Sequence, residues 1–158
     1  MSAVNYIPAG YHTATPYLAV SDTAKANEFY KLAFGAKEVV HLETPDGEIM
    51  HAEIQIGDSR IMLSGEMSDS NWRSPSSLRG NSVGICLYFE DVDAAFEQAL
   101  DAGAQELMPV ADMFWGDRMG QLSDPQGHRW MLASHKEDLS PEQVQQRANE
   151  FFASQSKP

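Results

Sequence analysis

His51 and Glu53 stand two residues apart in the chain, an imidazole and a carboxylate whose spacing suits proton chemistry. Side chains alternate along an extended strand, so this pair shares one face. A carboxylate beside a histidine can orient the ring, leaving the imidazole free to act as a general base, while a guanidinium nearby would hold an oxyanion or carboxylate of a substrate. Register singles out Arg118 as that cation. If Gly57-Asp58 is a two-residue hairpin turn, Ile56 faces Ser59, Glu53 lies opposite Met62, and His51 lies opposite Ser64. Later in the chain the matching turn is Asp124-Pro125-Gln126-Gly127, two residues longer, which sets Arg118 at the position of His51 and Gly120 at that of Glu53. Three readings of the trio His51, Glu53 and Arg118 stand side by side. It is a polar set that satisfies itself within a half-buried sheet, or a metal-free acid/base site, or a displaced metal site in which His51 and Glu53 supply two ligands and water or a second chain the rest.

The elements that must position these residues occur twice. Leu18 and Leu87, Asp22 and Asp91, Arg60 and Arg129, Met62 and Met131, and Leu63 and Leu132 are each 69 positions apart, and Gly35-Ala36 and Gly103-Ala104 are 68 apart. A long period seen twice argues for a duplicated supersecondary module rather than a solenoid, and a small-molecule site is expected between the halves. Each copy reads as strand, helix, then three strands. In the first, Thr15 to Val20 has strand character with Pro16 near its start, and Ser21 or Asp22 caps a helix with Ala26, Phe29, Tyr30, Ala33 and Phe34 on one face and Gly35 as its stop. In the second, Val83 to Phe89 precedes a helix capped by Asp91 and stopped by Gly103. The modules are placed at 11–64 and 82–136, forming one domain over 11–136. The polar linker 65–81 between them carries Trp72, which either packs on a neighbouring surface or closes over a cavity. The tail, 137–158, begins with Ser140-Pro141-Glu142-Gln143, a helix-start signal, followed by an apolar stripe of Val144, Ala148 and Phe151 or Phe152.

Composition prunes the function classes. The chain of 158 residues has 42% hydrophobic content, enough to bury a core unaided, and its formal charge of −12 would be repelled by nucleic acid or an anionic membrane. Cys86 has no mate and sits in an apolar run, as an inert buried thiol in a reducing compartment would. With no secretory leader or apolar spanning run in view, the cytoplasm is the expected location. Gly-x-Ser-x-Gly, Walker, His-Glu-x-x-His and Cys-x-x-Cys motifs do not occur. Of the remaining histidines, His128 beside its turn is expected to be solvated or to bond the loop backbone, and His12 and His41 lack carboxylates at a readable spacing.

Tyr17-Leu18-Ala19-Val20-Ser21-Asp22, Glu28-Phe29-Tyr30-Lys31, Phe34-Gly35-Ala36, His51-Ala52-Glu53-Ile54, Gly57-Asp58-Ser59 and Ile61-Met62-Leu63-Ser64 follow one another in the first half. Trp115-Gly116-Asp117-Arg118-Met119-Gly120 and Asp124-Pro125-Gln126-Gly127-His128-Arg129-Trp130 follow in the second. Together these resemble the vicinal oxygen chelate superfamily, in its glyoxalase/bleomycin-resistance/dioxygenase members, and most closely the PhnB-like branch. Many members of that branch carry Phe where this chain has Gln126. The resemblance implies an α+β fold of two βαβββ modules whose curved sheets form an open, barrel-like cleft, commonly in a homodimer. It also implies that metal ligands, where present, come from positions that here hold Thr15, Met62, Gly84 and Met131, a set without His or Glu, so that no cofactor is expected and a divalent metal is the alternative.

On that reading, the face shared by His51, Glu53 and Met62 looks into the cleft, with Met62 and Met131 as an apolar floor. Thr15, Tyr17, Phe114 and Trp115 are the further ligand-binding candidates, while Trp130 turns away from Met131 and is expected in the core. The expected function is binding of a small molecule between the modules, with metal-independent acid/base catalysis by His51, Glu53 and Arg118. The alternatives are a divalent-metal-dependent lyase or dioxygenase of the glyoxalase type and a drug-sequestering resistance protein without turnover.

Overall fold

The computed structural model describes residues 4–155. The first module comprises β1 (Tyr17–Val20), α1 (Thr23–Phe34), β2 (Lys37–Glu43), β3 (Ile49–Ile56) and β4 (Ser59–Gly65), with sheet order β1-β4-β3-β2. After the linker and its short α2 (Pro75–Leu78) come β5 (Gly84–Tyr88), α3 (Val92–Asp101), β6 (Gln105–Asp112), β7 (Asp117–Ser123) and β8 (Arg129–His135), ordered β5-β8-β7-β6. In each module the first strand runs parallel to the last and the other pairs are antiparallel. The fold is α+β with two open four-stranded sheets, and α4 (Pro141–Gln155) follows them.

Capping starts the helices where their sequences suggest. The Asp22 carboxylate accepts from the Lys25 amide at 3.0 Å and that of Asp91 from Ala94 at 3.1 Å. At α4 the Ser140 hydroxyl accepts from the Gln143 amide while the Gln143 side chain accepts from the Ser140 amide, a reciprocal box that holds the first turn.

One core serves both modules. Each sheet buries one face against its helix: Ala52, Ile54, Ile61 and Leu63 in the first, Leu122, Trp130 and Leu132 in the second. Trp130 of β8 lies fully buried against Tyr30 and Phe34 of α1, so the second sheet packs on the first module's helix. A single oxygen, Asp124 Oδ2, accepts from the Tyr30 hydroxyl at 2.7 Å and the Trp130 indole at 2.8 Å. Burial, and then the Asp124 charge, holds the Tyr30 phenol well above its ordinary range. Gln126 accepts from both the amide and the hydroxyl of Ser21, so it too ties the modules together.

The linker is more ordered than a tether. Ser74 caps α2, and Glu66 accepts from the Ser74 amide and hydroxyl; that hydroxyl, with Ser77 and Arg73 after it, brings the Glu66 carboxyl down to about 2. Trp72 packs on the first sheet, its indole donating to Ser64 Oγ at 2.8 Å and its ring lying 5.0 Å from that of Tyr17. Cys86 differs from expectation: it is exposed on β5, although partial desolvation of its sulfur and then the Asp117 charge raise its thiol pKa.

Candidate functional site

The hairpin register of the first module is the expected one. Ile56 pairs with Ser59 and Glu53 with Met62, and Met62 pairs in turn with Tyr17. Period-two alternation then sends Ala52 and Ile54 into the core and His51 and Glu53 to the opposite, helix-free face, with Tyr17 and Met62. There the Tyr17 hydroxyl lies 3.0 Å from His51 Nδ1, and His51 Nε2 lies 3.2 Å from Glu53 Oε1. A carboxylate oxygen only accepts, so Nε2 carries the ring proton and Nδ1 accepts from the phenol. The result is a Tyr17–His51–Glu53 line whose outer end, Tyr17, is 43% exposed, while the His51 and Glu53 side chains are only 18% and 12% exposed. The second Glu53 oxygen, Oε2, is buried with no hydrogen-bond partner.

Arg118 is not brought to this line. Asp124 pairs with His128 across a three-residue loop, Pro125 to Gly127, because the Asp124 carboxylate takes the amides of Gln126 and His128 and Gly127 adopts a positive φ of 88°. The four-residue turn expected from sequence is therefore one residue too long. A one-residue slip turns every side chain to the other face. Gln121, not Gly120, lies opposite Met131, and Met119 takes the place equivalent to His51. Gly120 faces α3, where a Cβ would come within 2.6 Å of Phe96, and Arg118 on the same side is bound by Asp93 of α3 and by Asp112, which raise its pKa further.

The other candidates are dispersed. Met62 and Met131 occupy matching places on the two helix-free faces, and Thr15 and Tyr17 line the seam between the modules. Phe114 packs on Trp115 and on Phe151 of α4 rather than at the seam, and the Trp115 indole donates to Asp117. Asp117 is the hub of a second polar set that sequence reasoning missed, accepting from Tyr88 and bonded at 2.8 Å to His135, which also meets Asp138. These carboxylates, Asp117 first, raise the pKa of His135. His41, for which no carboxylate was expected, pairs with Glu43 and Glu38. His128 bonds the Ala19 carbonyl of β1 rather than solvent.

The edge strands β1 and β5 flank a cavity of about 760 Å³, within the range of small-molecule pockets. Tyr17 and Trp72 form part of its wall, with Leu78 from the linker and Val83, Ile85 and Arg129 from the second module. Thr15 and Gly84, two of the positions implied for metal ligands, also line it. Their chemistry does not fit a divalent metal: a hydroxyl, a bare backbone and two thioethers lack the imidazole and carboxylate donors such an ion needs. Among the described residues no three His, Cys, Asp or Glu side chains gather in a way that could hold one.

Two βαβββ modules with open sheets, sharing one core and flanking a cavity with their edge strands, define the class of protein. The chain belongs to the Glyoxalase/Bleomycin resistance protein/Dioxygenase superfamily, whose family model matches residues 11–132. An uncharacterized protein of Mycobacterium tuberculosis (strain H37Rv) is 38% identical over 146 residues, covering 90% of this chain and 84% of that one. An uncharacterized protein of Arabidopsis thaliana, At5g48480, is 31% identical over 122 residues, 72% of each chain, and the X-ray structure of that gene product superposes with a TM-score of 0.64 at 28% identity over 78% of this chain and 98% of its own. The crystal structure of TioX from Micromonospora sp. ML1 also gives 0.64, at 24% identity over 78% of this chain and 98% of that one, and shows the fold alone.

Proposed function

We propose that this protein, as a member of the PhnB-like branch, binds a small molecule at the seam between its modules and does acid/base chemistry on it without a metal. Tyr17 presents its hydroxyl to the ligand, His51 takes up and returns the phenolic proton, and Glu53 fixes the ring and stabilises the imidazolium that forms. The observation that carries this reading is Glu53 Oε2. An oxygen kept buried and unpartnered costs stability, and such costs are tolerated where function requires the group. Cytoplasmic location and assembly as a homodimer belong to the same proposal, the latter tested by sedimentation velocity.

The test is a turnover assay on a small library of aldehydes, enols and thioesters, with metal-free protein. Product is expected from the wild type and not from His51→Ala, with Tyr17→Phe reduced by a hundredfold or more, on the order of what a general acid/base contributes. Equal activity in His51→Ala would remove the imidazole from the mechanism. A second reading, sequestration without turnover, is favoured by the apolar walls of the seam cavity, and would show as ligand-induced thermal stabilisation with no product. Stoichiometric uptake of Ni²⁺, Zn²⁺, Mn²⁺ or Fe²⁺ with gain of activity would instead support the metal-dependent lyase or dioxygenase.

A further inference from the structure

We infer that the cavity between β1 and β5 is built for an organic anion, a carboxylate on a flat and largely apolar body, with Arg129 as the anchor for the carboxylate. The inference rests on reading the seam as the ligand site, because Tyr17 belongs both to the cavity wall and to the line with His51.

Charge is the first argument. The chain holds 23 Asp and Glu against 11 Lys and Arg, yet no acidic residue lines this cavity, whereas Arg73, Arg129 and His128 do. In a protein of net charge −12, a bound anion is repelled by the general field, so a cavity that admits one must be cleared of carboxylates and supplied with a local cation. A cationic ligand would meet the opposite of what it needs.

The state of the arginines is the second. Two arginines line the cavity, and of these Arg73 is engaged by Glu66. The Arg129 side chain makes no ion pair or hydrogen bond among the described residues. Its strand partner across the β5–β8 ladder is Gly84, where an added Cβ would stand 3.1 Å from Met131 Cε and 3.9 Å from Arg129 Cγ. The missing side chain at Gly84 leaves room for the Met131 thioether and the aliphatic stem of Arg129 against β5. His128 cannot replace Arg129, since its Nε2 is committed to the Ala19 carbonyl.

The walls decide the body of the ligand. Tyr17 and Trp72 meet edge to face at 5.0 Å, and Val83 and Ile85 add aliphatic surface from the other module. Such a lining favours a planar apolar group, and a guanidinium grips a carboxylate through two parallel N–H donors.

Isothermal titration with 2-naphthoate, 2-naphthalenemethanol and 2-naphthylmethylammonium tests this at low salt. Wild type is expected to bind the carboxylate on the order of tenfold tighter than the alcohol, and the ammonium weakest. Arg129→Gln should lose the preference for the acid while keeping its affinity for the alcohol, Arg129→Lys should keep part of the preference, and His51→Ala should keep all of it. Arg129 is exposed, and a thermal melt of Arg129→Gln matching wild type will show that it folds. Equal affinity for acid and alcohol in wild type, an unchanged preference in Arg129→Gln, or no binding of 2-naphthoate would each overturn the inference. If turnover depends on His51 while Arg129→Gln binds the acid normally, the anion site falls and the acid/base reading stands. If the acid preference depends on Arg129 and no library member yields product, the anion site stands and the acid/base reading falls.

Discussion

Replacing Glu53 by Met should make the protein more stable while removing the proposed chemistry. Glu53 is held by one hydrogen bond, to His51 at 3.2 Å, and its other oxygen is buried without a partner. An unsatisfied buried acceptor costs about 1–3 kcal/mol, and the single bond returns about 1 kcal/mol, so removing both leaves a gain of about 1 kcal/mol. The thioether also faces Met62 directly across the ladder, where apolar contact replaces a desolvated charge. For a chain of this size, about 1 kcal/mol is a rise of roughly 2–4 °C in Tm. Calorimetric melts and urea titrations of both proteins at pH 7.5 provide the measurement. A Tm that falls by 2 °C or more, or a lower urea midpoint at unchanged slope, refutes the claim that Glu53 is kept at a cost to stability, and with it the strongest support for a functional carboxylate there.

Asp124→Ala leaves the Tyr30 hydroxyl and the Trp130 indole buried without their shared acceptor, and at about 1–3 kcal/mol each the loss should be about 4 kcal/mol in urea titrations; a loss under 1 kcal/mol would show that water or another group replaces it. Gly120→Ala drives a methyl to within 2.6 Å of Phe96, so an overpacking penalty of about 1–3 kcal/mol is expected, and an unchanged Tm would place Gly120 on the other face. NMR titration of His135 should give a midpoint above the ordinary value of about 6.5, moving down in Asp138→Asn, whereas a wild-type midpoint at or below 6.5 contradicts the bonds to Asp117 and Asp138. Because folding raises this pKa, the stabilisation from His135 is fully present below about pH 6.5 and is lost as pH rises through the folded value, a slope that Asp138→Asn should flatten.

The first module was legible because its turn is the simplest kind. Gly57-Asp58 closes a two-residue hairpin, so counting outward gives the true partners, and the alternation that buries Ala52 and Ile54 fixes the face of His51 and Glu53. The second failed at one position. Whether Asp-Pro-Gln-Gly closes a loop of three residues or four depends on which amides the Asp124 carboxylate takes, and composition does not encode that choice. The error carried Arg118 to the wrong face, where Asp93, a helix away in sequence, was waiting for it. Trp130 was assigned to the core by alternation alone, whereas the partners of Trp72, His135 and His128 lie across loops and strands that no local pattern connects. Arg129 had a signal, its spacing of 69 from Arg60, but repetition marks shared architecture and says nothing of which copy lines the cavity between β1 and β5.

The oxygen shared by Tyr30 and Trp130 makes the duplication irreversible. At the matching place in the first half Ile56 pairs with Ser59 as Asp124 pairs with His128, and its side chain is not an acid, so two copies of that half could not rebuild the joint. Severed within 65–81, the first piece would carry a phenol and the second an indole and a carboxylate that each need the missing fragment, and neither would hold its shape until the two were mixed.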